Sequence, residues 1–218
     1  MKNFHIITLF PDAFDSYLGE SIIKRARDDG KIKIKFYNPR DFTGEPDKRK
    51  NRRIDQRPYG GGPGMVIQAL PVLKAVQSTS RRTKKKQKII LLSPRGKQFT
   101  NEEANKLAKS KSDIVLISGR YEGIDARVKK ILKPTEYSVG PYTLTGGELP
   151  AMILIDAISR RIKGVLGDEQ SVEENRIAGA DVYTRPEILT YKKKKYRVPK
   201  VLLSGHHKKI DEWREGKK

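Results

Sequence analysis

Cysteine is absent from this 218-residue chain, which excludes disulfide staples and thiol nucleophiles and suits a reducing compartment without requiring one. Histidine is scarce: the three are His5, His206 and His207. No carboxylate pattern accompanies them, so the sequence offers no metal site, and a structural or RNA-facing role is expected for each. No apolar run approaches the roughly 20 residues that a membrane helix needs, so no membrane partner is expected. The opening stretch reads as a short strand cut off by Pro11 rather than as the hydrophobic region of a signal peptide. A cytoplasmic protein is the expectation. Also missing are a phosphate loop of the G-x-x-x-x-G-K-[ST] kind, a G-x-G-x-x-G ahead of a helix and any internal repeat.

What the chain has in excess is positive charge. Its 47 Lys and Arg against 26 Asp and Glu give a formal net charge of +21. Neutralising phosphates releases counterions and dominates nucleic-acid affinity, so a polyanion partner is the first expectation. Arg81–Lys88 and Lys192–Lys195 are basic runs, which read by default as solvated loops. Beyond residue 176, basic side chains alternate with Tyr183, Tyr191, Tyr196 and Trp213. That mixture suits looped or single-stranded RNA, whose bases stack on aromatic rings, and equally suits a small subdomain that uses those rings as its own core.

Periodicity predicts strand over 4–10, one amphipathic helix over 13–26 with Phe14, Tyr17, Leu18, Ile22 and Ile23 near one face, and strand over 32–37. From Asn38 to Gly64 periodicity gives way to charge, proline and glycine, which reads as a lid over a ligand. Helix is predicted over 65–77, 101–109, 126–132 and 148–161, and strand over 89–92, 114–117 and 137–145. This alternation implies an α/β fold with a mainly parallel sheet. The 148–161 helix carries apolar residues around much of its circumference, as expected if it is buried in the sheet or in a second subunit. Gly164–Ala180 reads as an interdomain linker.

Three strands run directly into turns rich in glycine, serine and proline: Leu92-Ser-Pro-Arg-Gly, Ser118-Gly-Arg-Tyr-Glu-Gly and Val139-Gly-Pro-Tyr-Thr-Leu-Thr-Gly-Gly-Glu-Leu-Pro. Such turns present backbone N–H and C=O groups that can read the edge of an adenine without side-chain charge. With no phosphate loop present, they point to a nucleoside cofactor.

These turns, with Arg57-Pro-Tyr-Gly-Gly-Gly-Pro-Gly-Met, Gly164-Val-Leu-Gly, Tyr183-Thr-Arg-Pro-Glu and Val201-Leu-Leu-Ser-Gly-His-His, resemble the bacterial tRNA (guanine-37-N1)-methyltransferases over nearly the whole chain. The resemblance implies a SPOUT-type fold: a mainly parallel sheet with a deep trefoil knot over 1–165, a flexible linker over 166–180 and a short, basic, helical tRNA-binding domain over 181–218. It implies a homodimer whose active site is shared between subunits. It also implies methyl transfer from S-adenosylmethionine to N1 of guanosine 37, which helps to maintain the reading frame. Mg²⁺ is associated with the family's activity, and the sequence assigns it no site.

By the same resemblance the cofactor is lined by Leu91, Leu92, Ser93 and Pro94 from the first turn, by Gly119, Tyr121, Glu122 and Gly123 from the second, and by Val139, Gly140, Tyr142, Leu144, Gly146, Gly147 and Pro150 from the third. Arg160 falls at the family's catalytic arginine, where a guanidinium can bind guanine O6 and stabilise the charge that develops there. The family's general base is an aspartate after Gly-Val-Leu-Gly, and that position here is Asn175. An amide cannot usefully accept the proton, so Glu174 is the expected substitute, and a silent RNA-binding homologue is the alternative reading. Pro141 is a second departure, removing a charge and an amide donor from the third turn.

Overall fold

A computed structural model describes residues 1–44, 53–80, 86–166 and 181–214, and the chain divides into two compact units, Met1–Leu166 and Gly167–Lys218. The first unit begins with β1 (Lys2–Ile7), a 3₁₀ turn (Pro11–Phe14), α1 (Asp15–Leu18), α2 (Ser21–Asp28) and β2 (Ile32–Tyr37). A short antiparallel pair, β3 (Asp55–Gln56) with β4 (Val66–Ile67), then leads into α3 (Ala69–Ser80). The remainder alternates strictly: β5 (Gln87–Gln98), α4 (Asn101–Lys109), β6 (Asp113–Ile117), α5 (Ala126–Leu132), β7 (Thr135–Ser138) and α6 (Glu148–Ser159).

The five long strands form one parallel sheet in the order β2-β1-β6-β5-β7, and their alternating side chains feed two cores. On one face Phe4, Ile6, Ile114 and Leu116 pack with Phe14, Leu18, Ile23, Leu107 and the α6 residues Leu154, Ile155 and Ile158. On the other, Ile7, Val115 and Ile117 pack with Val72 and Val76 of α3 and Val128 of α5. A sheet covered on both faces accounts for the fully buried run Asp113–Ile117 in β6. His5 lies inside this sheet, its Nδ1 2.9 Å from the Tyr37 hydroxyl, and burial pushes its imidazole below the ordinary value while nearby Asp113 opposes the shift. It is structural, one of the two roles that the sequence leaves open.

The helix expected over 13–26 is broken. Gly19 closes α1, its N–H donating to the Asp15 carbonyl at 3.0 Å, and a Cβ there would sit 2.5 Å from that same oxygen. Amphipathic spacing continues across the break because both pieces face one core, burying Phe14 and Leu18 before it and Ile23 and Ala26 after it. In α4 the sequence and structure agree on both ends, since Thr100 caps it by accepting from the Glu103 N–H.

The second unit has the expected helices and, ahead of them, a hairpin that the sequence reading does not include. It opens with an antiparallel hairpin, β8 (Ile188–Tyr191) and β9 (Lys194–Arg197), followed by α7 (Lys200–Leu203) and α8 (His207–Arg214). The flanking residues Ile188, Thr190, Tyr191 and Tyr196 favour strand, while Lys192 and Lys193 both take the positive φ that a two-residue hairpin turn requires. Its aromatics fall into two groups. Tyr183 packs near Trp213, ring centroids 6.2 Å apart, whereas Tyr191 and Tyr196 on the hairpin are exposed.

Candidate active site

All three glycine-bearing turns lie at the carboxyl ends of adjacent strands β6, β5 and β7, the edge of a parallel sheet where ligands bind. The first is a bulge. Leu92 and Lys97 of β5 are both registered against Tyr137 of β7, so Ser93, Pro94, Arg95 and Gly96 loop out of the ladder. Pro94 has no N–H to lose there, and the Arg95 N–H donates to Ser93 Oγ at 3.2 Å. Gly96 crosses β7 so closely that a Cβ would stand 2.7 Å from backbone atoms of Glu136 and Tyr137. Beyond the bulge, Lys97 Nζ and the Tyr137 hydroxyl donate to the two oxygens of Glu103 at 2.8 and 2.5 Å. They fasten α4 to the strand pair and, Lys97 first, hold the Glu103 carboxyl down to about 2.

The second turn follows β6. The Ser118 N–H donates to the Ile7 carbonyl at 3.0 Å, and Tyr121 adopts a left-handed conformation, φ 59°, that lets the Gly123 N–H return to the Arg120 carbonyl at 3.0 Å. The end of the Gly60–Met65 segment docks on this turn: the Glu122 N–H donates to the Met65 carbonyl and the Ile67 N–H to the Gly123 carbonyl, each at 3.0 Å. The glycine-rich stretch read from sequence as a lid is thus tied at its C-terminal end to the second turn.

The third turn crosses the second. The Gly147 N–H donates to the Gly119 carbonyl at 2.9 Å, Ser118 Oγ donates to the Gly147 carbonyl at 3.1 Å, and Arg120 and Gly146 form an antiparallel bridge. A Cβ on Gly147 would lie 2.6 Å from Ser118 Cα and 2.9 Å from the Gly119 nitrogen, so only glycine fits where two backbones meet this closely. Upstream, the Gly140 N–H and carbonyl both engage Ser138 Oγ, and the Tyr142 hydroxyl donates to the Val139 carbonyl at 3.3 Å.

Behind the turns is a polar network that the sequence does not disclose. Glu148, the first residue of α6, is 3% exposed; its carboxylate accepts from Thr8 Oγ1 and Arg120 Nε, each at 2.9 Å. The N-terminal end of α6 favours that negative charge. Arg120 also donates to the Thr145 carbonyl at 3.4 Å and lies 4.7 Å above the Phe10 ring. One guanidinium therefore joins the second turn, the third turn and the end of β1. Arg120 stands inside a motif marked for its neighbours, but Thr8 and Glu148 are 140 positions apart, and no local spacing relates them.

Of the residues expected to line the cofactor, Ser118's neighbour Gly119 meets Gly147, while Glu122 and Gly123 face the 65–67 segment. Leu91 and Leu92 are buried, one in each core. Tyr121, Tyr142 and Leu144 are exposed at the mouth, and Pro150 is the third residue of α6. Arg160 is not among them. It caps the far end of α6, and twelve helical rises place its Cα about 18 Å from that of Glu148. Glu174 and Asn175 lie outside the described residues.

A profile of the family described as tRNA (Guanine-1)-methyltransferase TrmD matches residues 1–218. The chain is 45% identical over 216 residues to a tRNA (guanine-N(1)-)-methyltransferase of Pseudoalteromonas atlantica, covering 97% of this chain and 78% of that protein. To the protein of the same name from Clostridioides difficile it is 44% identical, covering 97% and 90%. The crystal structure of tRNA (m1G37) methyltransferase from Aquifex aeolicus superimposes with a TM-score of 0.79 at 36% identity, over 99% of this chain and 88% of that one.

Proposed function

Since the chain belongs to the tRNA (guanine-1)-methyltransferase family, we propose that it methylates N1 of guanosine 37 of tRNA in the cytosol, using S-adenosylmethionine. The observation that carries this reading is the crossing of two strand-end turns, the Gly147 N–H donating to the Gly119 carbonyl at 2.9 Å, beside the third turn on the adjacent strand β5. Together the turns form a cradle packed too closely for a Cβ at Gly140, Gly146 or Gly147. Backbone groups of these turns, with Tyr121, Tyr142 and Leu144 at the mouth, would hold the nucleoside and amino-acid parts of S-adenosylmethionine, which supplies an electrophilic methyl group on its sulfonium. The close crossing of Ser118–Gly119 by Gly147 also supports the deep trefoil knot, which is part of the same proposal.

The position of Arg160 supports a shared site. An arginine about 18 Å from the cradle along its own helix cannot serve that cradle, but α6 carries an outward stripe, Leu149, Ile153, Asp156 and Arg160, at helical spacing. Leu149 is 56% and Ile153 44% exposed, with Phe10 and Tyr17 also exposed. Packing this stripe against its own copy across a two-fold axis runs the two helices antiparallel. The C-terminal Arg160 of one protomer then reaches the N-terminal end of its partner's α6, where the partner's turns meet. At that point the guanidinium would bind guanine O6 while Glu174 takes the N1 proton and the freed N1 lone pair receives the methyl group.

Residues 1–165 would form the methyltransferase domain, and the basic residues 181–218 would contact the tRNA, with the exposed Tyr191 and Tyr196 available to bases. Among the described residues no group of three His, Asp or Glu converges on one point, and no step is routed through Mg²⁺. No helix of the described residues is long and apolar enough to cross a membrane.

Single-turnover transfer of labelled methyl to unmodified tRNA transcripts tests this function. A transcript with guanosines at 36 and 37 should accept one methyl group, and one lacking the second guanosine should accept none; equal labelling of both would refute the assignment. The cradle has its own test. Gly147→Ala, which drives a Cβ into the Ser118 backbone, should weaken S-adenosylmethionine binding at least about tenfold, the scale of an overpacking penalty. Gly44→Ala, which meets nothing within 4 Å, should leave calorimetric affinity unchanged.

A further inference from the structure

We infer that Glu148 is a positioning residue for the cradle, acting through Arg120 on the third turn, an inference that rests on the cofactor reading given to the cradle above. Glu148 follows Gly147 directly and is buried, as is Thr8. Both of its oxygens are held. Thr8 Oγ1, itself fixed by the Phe10 N–H at 3.0 Å, donates to Oε1 at 2.9 Å. Arg120 Nε donates to Oε2 at 2.9 Å, the length of a charge-assisted bond. A guanidinium is a rigid planar fork, so holding Nε sets the direction of its other nitrogens, one of which donates to the Thr145 carbonyl at 3.4 Å.

The pair is also the floor on which the third turn rests. A Cβ on Gly146 would collide with both Arg120 Nε and Glu148 Oε2, so the backbone of the turn packs directly on the ion pair. The antiparallel bridge between Arg120 and Gly146 keeps it there. Residues 141–145 are exposed, so burial does little to order them and the Arg120 bond to Thr145 acts as a tether. A turn ordered before S-adenosylmethionine arrives binds it without meeting that ordering cost on association. The competing role is a plain staple, which adds stability and leaves the shape of the cradle alone.

Cofactor affinity, measured by calorimetry on the full-length chain well below its melting temperature, separates the two roles. Glu148→Gln keeps the size of the side chain and removes its charge. It should weaken S-adenosylmethionine binding about tenfold, the scale of one lost bond to a charged group. Affinity for tRNA without cofactor and the oligomeric state by sedimentation should stay as in the parent. Arg120→Gln should reproduce the loss, and the double variant should bind no more weakly than either single variant, since Glu148 acts only through that guanidinium. The double variant leaves no unpaired buried carboxylate, so its comparison with Glu148→Gln decides the matter even if Arg120→Gln folds poorly. Parental cofactor affinity in Glu148→Gln with a lowered melting temperature would make the pair a staple and overturn the inference. Losses that multiply in the double variant, or an equal loss of tRNA affinity, would overturn it as well. A parental chain that binds no S-adenosylmethionine would instead overturn the cradle reading, and this inference with it.

Discussion

Arg160→Ala and Gly147→Ala should each be nearly inactive as homodimers, yet regain about a quarter of the parental activity when co-expressed in equal amounts. The first variant loses the donor proposed to stabilise charge on guanine O6, a loss that commonly costs about 10²–10³-fold in rate. The second has an obstructed cradle. In a two-fold dimer whose sites each take the turns of one protomer and the arginine of the other, random pairing makes about half of the dimers mixed. Each mixed dimer gathers both defects in one site and leaves the other intact. If Arg160 served the cradle of its own protomer, every site in the mixed dimer would carry one defect and no activity would return. The rate recovered on co-expression, which should rise to about half of the parental rate once heterodimer is purified through two different tags, therefore decides the geometry directly. It also separates catalytic failure from misfolding, because a misfolded subunit would not complement.

The distance behind that prediction was legible in the sequence, which predicts a single helix over 148–161. Arg160 and the Gly146-Gly147 pair are conspicuous on either side of an apolar segment, and only the decision that this segment is one unbroken helix turns thirteen positions into a separation. Helix and strand type were readable where one face is buried and a cap is present, as in α4 and α5, whose Asp125 accepts from the Arg127 N–H. They were misread where tertiary contacts interrupt the pattern. The third turn extends a strand-like run past Ser138, where the Ser138 hydroxyl bonds Gly140 and ends the ladder. The hairpin tip Lys192-Lys193 has neither glycine nor asparagine to announce its left-handed turn. Strand order and the Thr8–Glu148–Arg120 network depend on contacts far apart in the chain, which periodicity does not encode. The crossing of the second and third turns was legible because glycine where two backbones meet this closely leaves a mark in sequence.

Glu174→Gln should slow methyl transfer by up to about 10²-fold below neutral pH and by less as pH rises, and Asn175→Asp should restore the rate in that background. Guanine N1 is a weak nucleophile until it loses its proton. A carboxylate within reach removes that proton during the reaction, a contribution of about 10²–10⁴-fold. Where an amide stands instead, the proton leaves to Glu174 or to water. If water is the acceptor, the parental rate should climb about tenfold per pH unit as hydroxide becomes available, whereas the aspartate variant should be nearly flat once its carboxyl is ionised, above about pH 5. The two profiles then converge at high pH. If Glu174 already serves, the parental profile is flat as well, Asn175→Asp adds little, and Glu174→Gln alone restores the slope. A flat profile that survives Glu174→Gln would assign the proton to a third group. Asp and Gln each keep the size of the side chain they replace, so affinity for tRNA should hold in every variant, and the pH dependence of the single-turnover rate identifies the residue that takes the proton from N1.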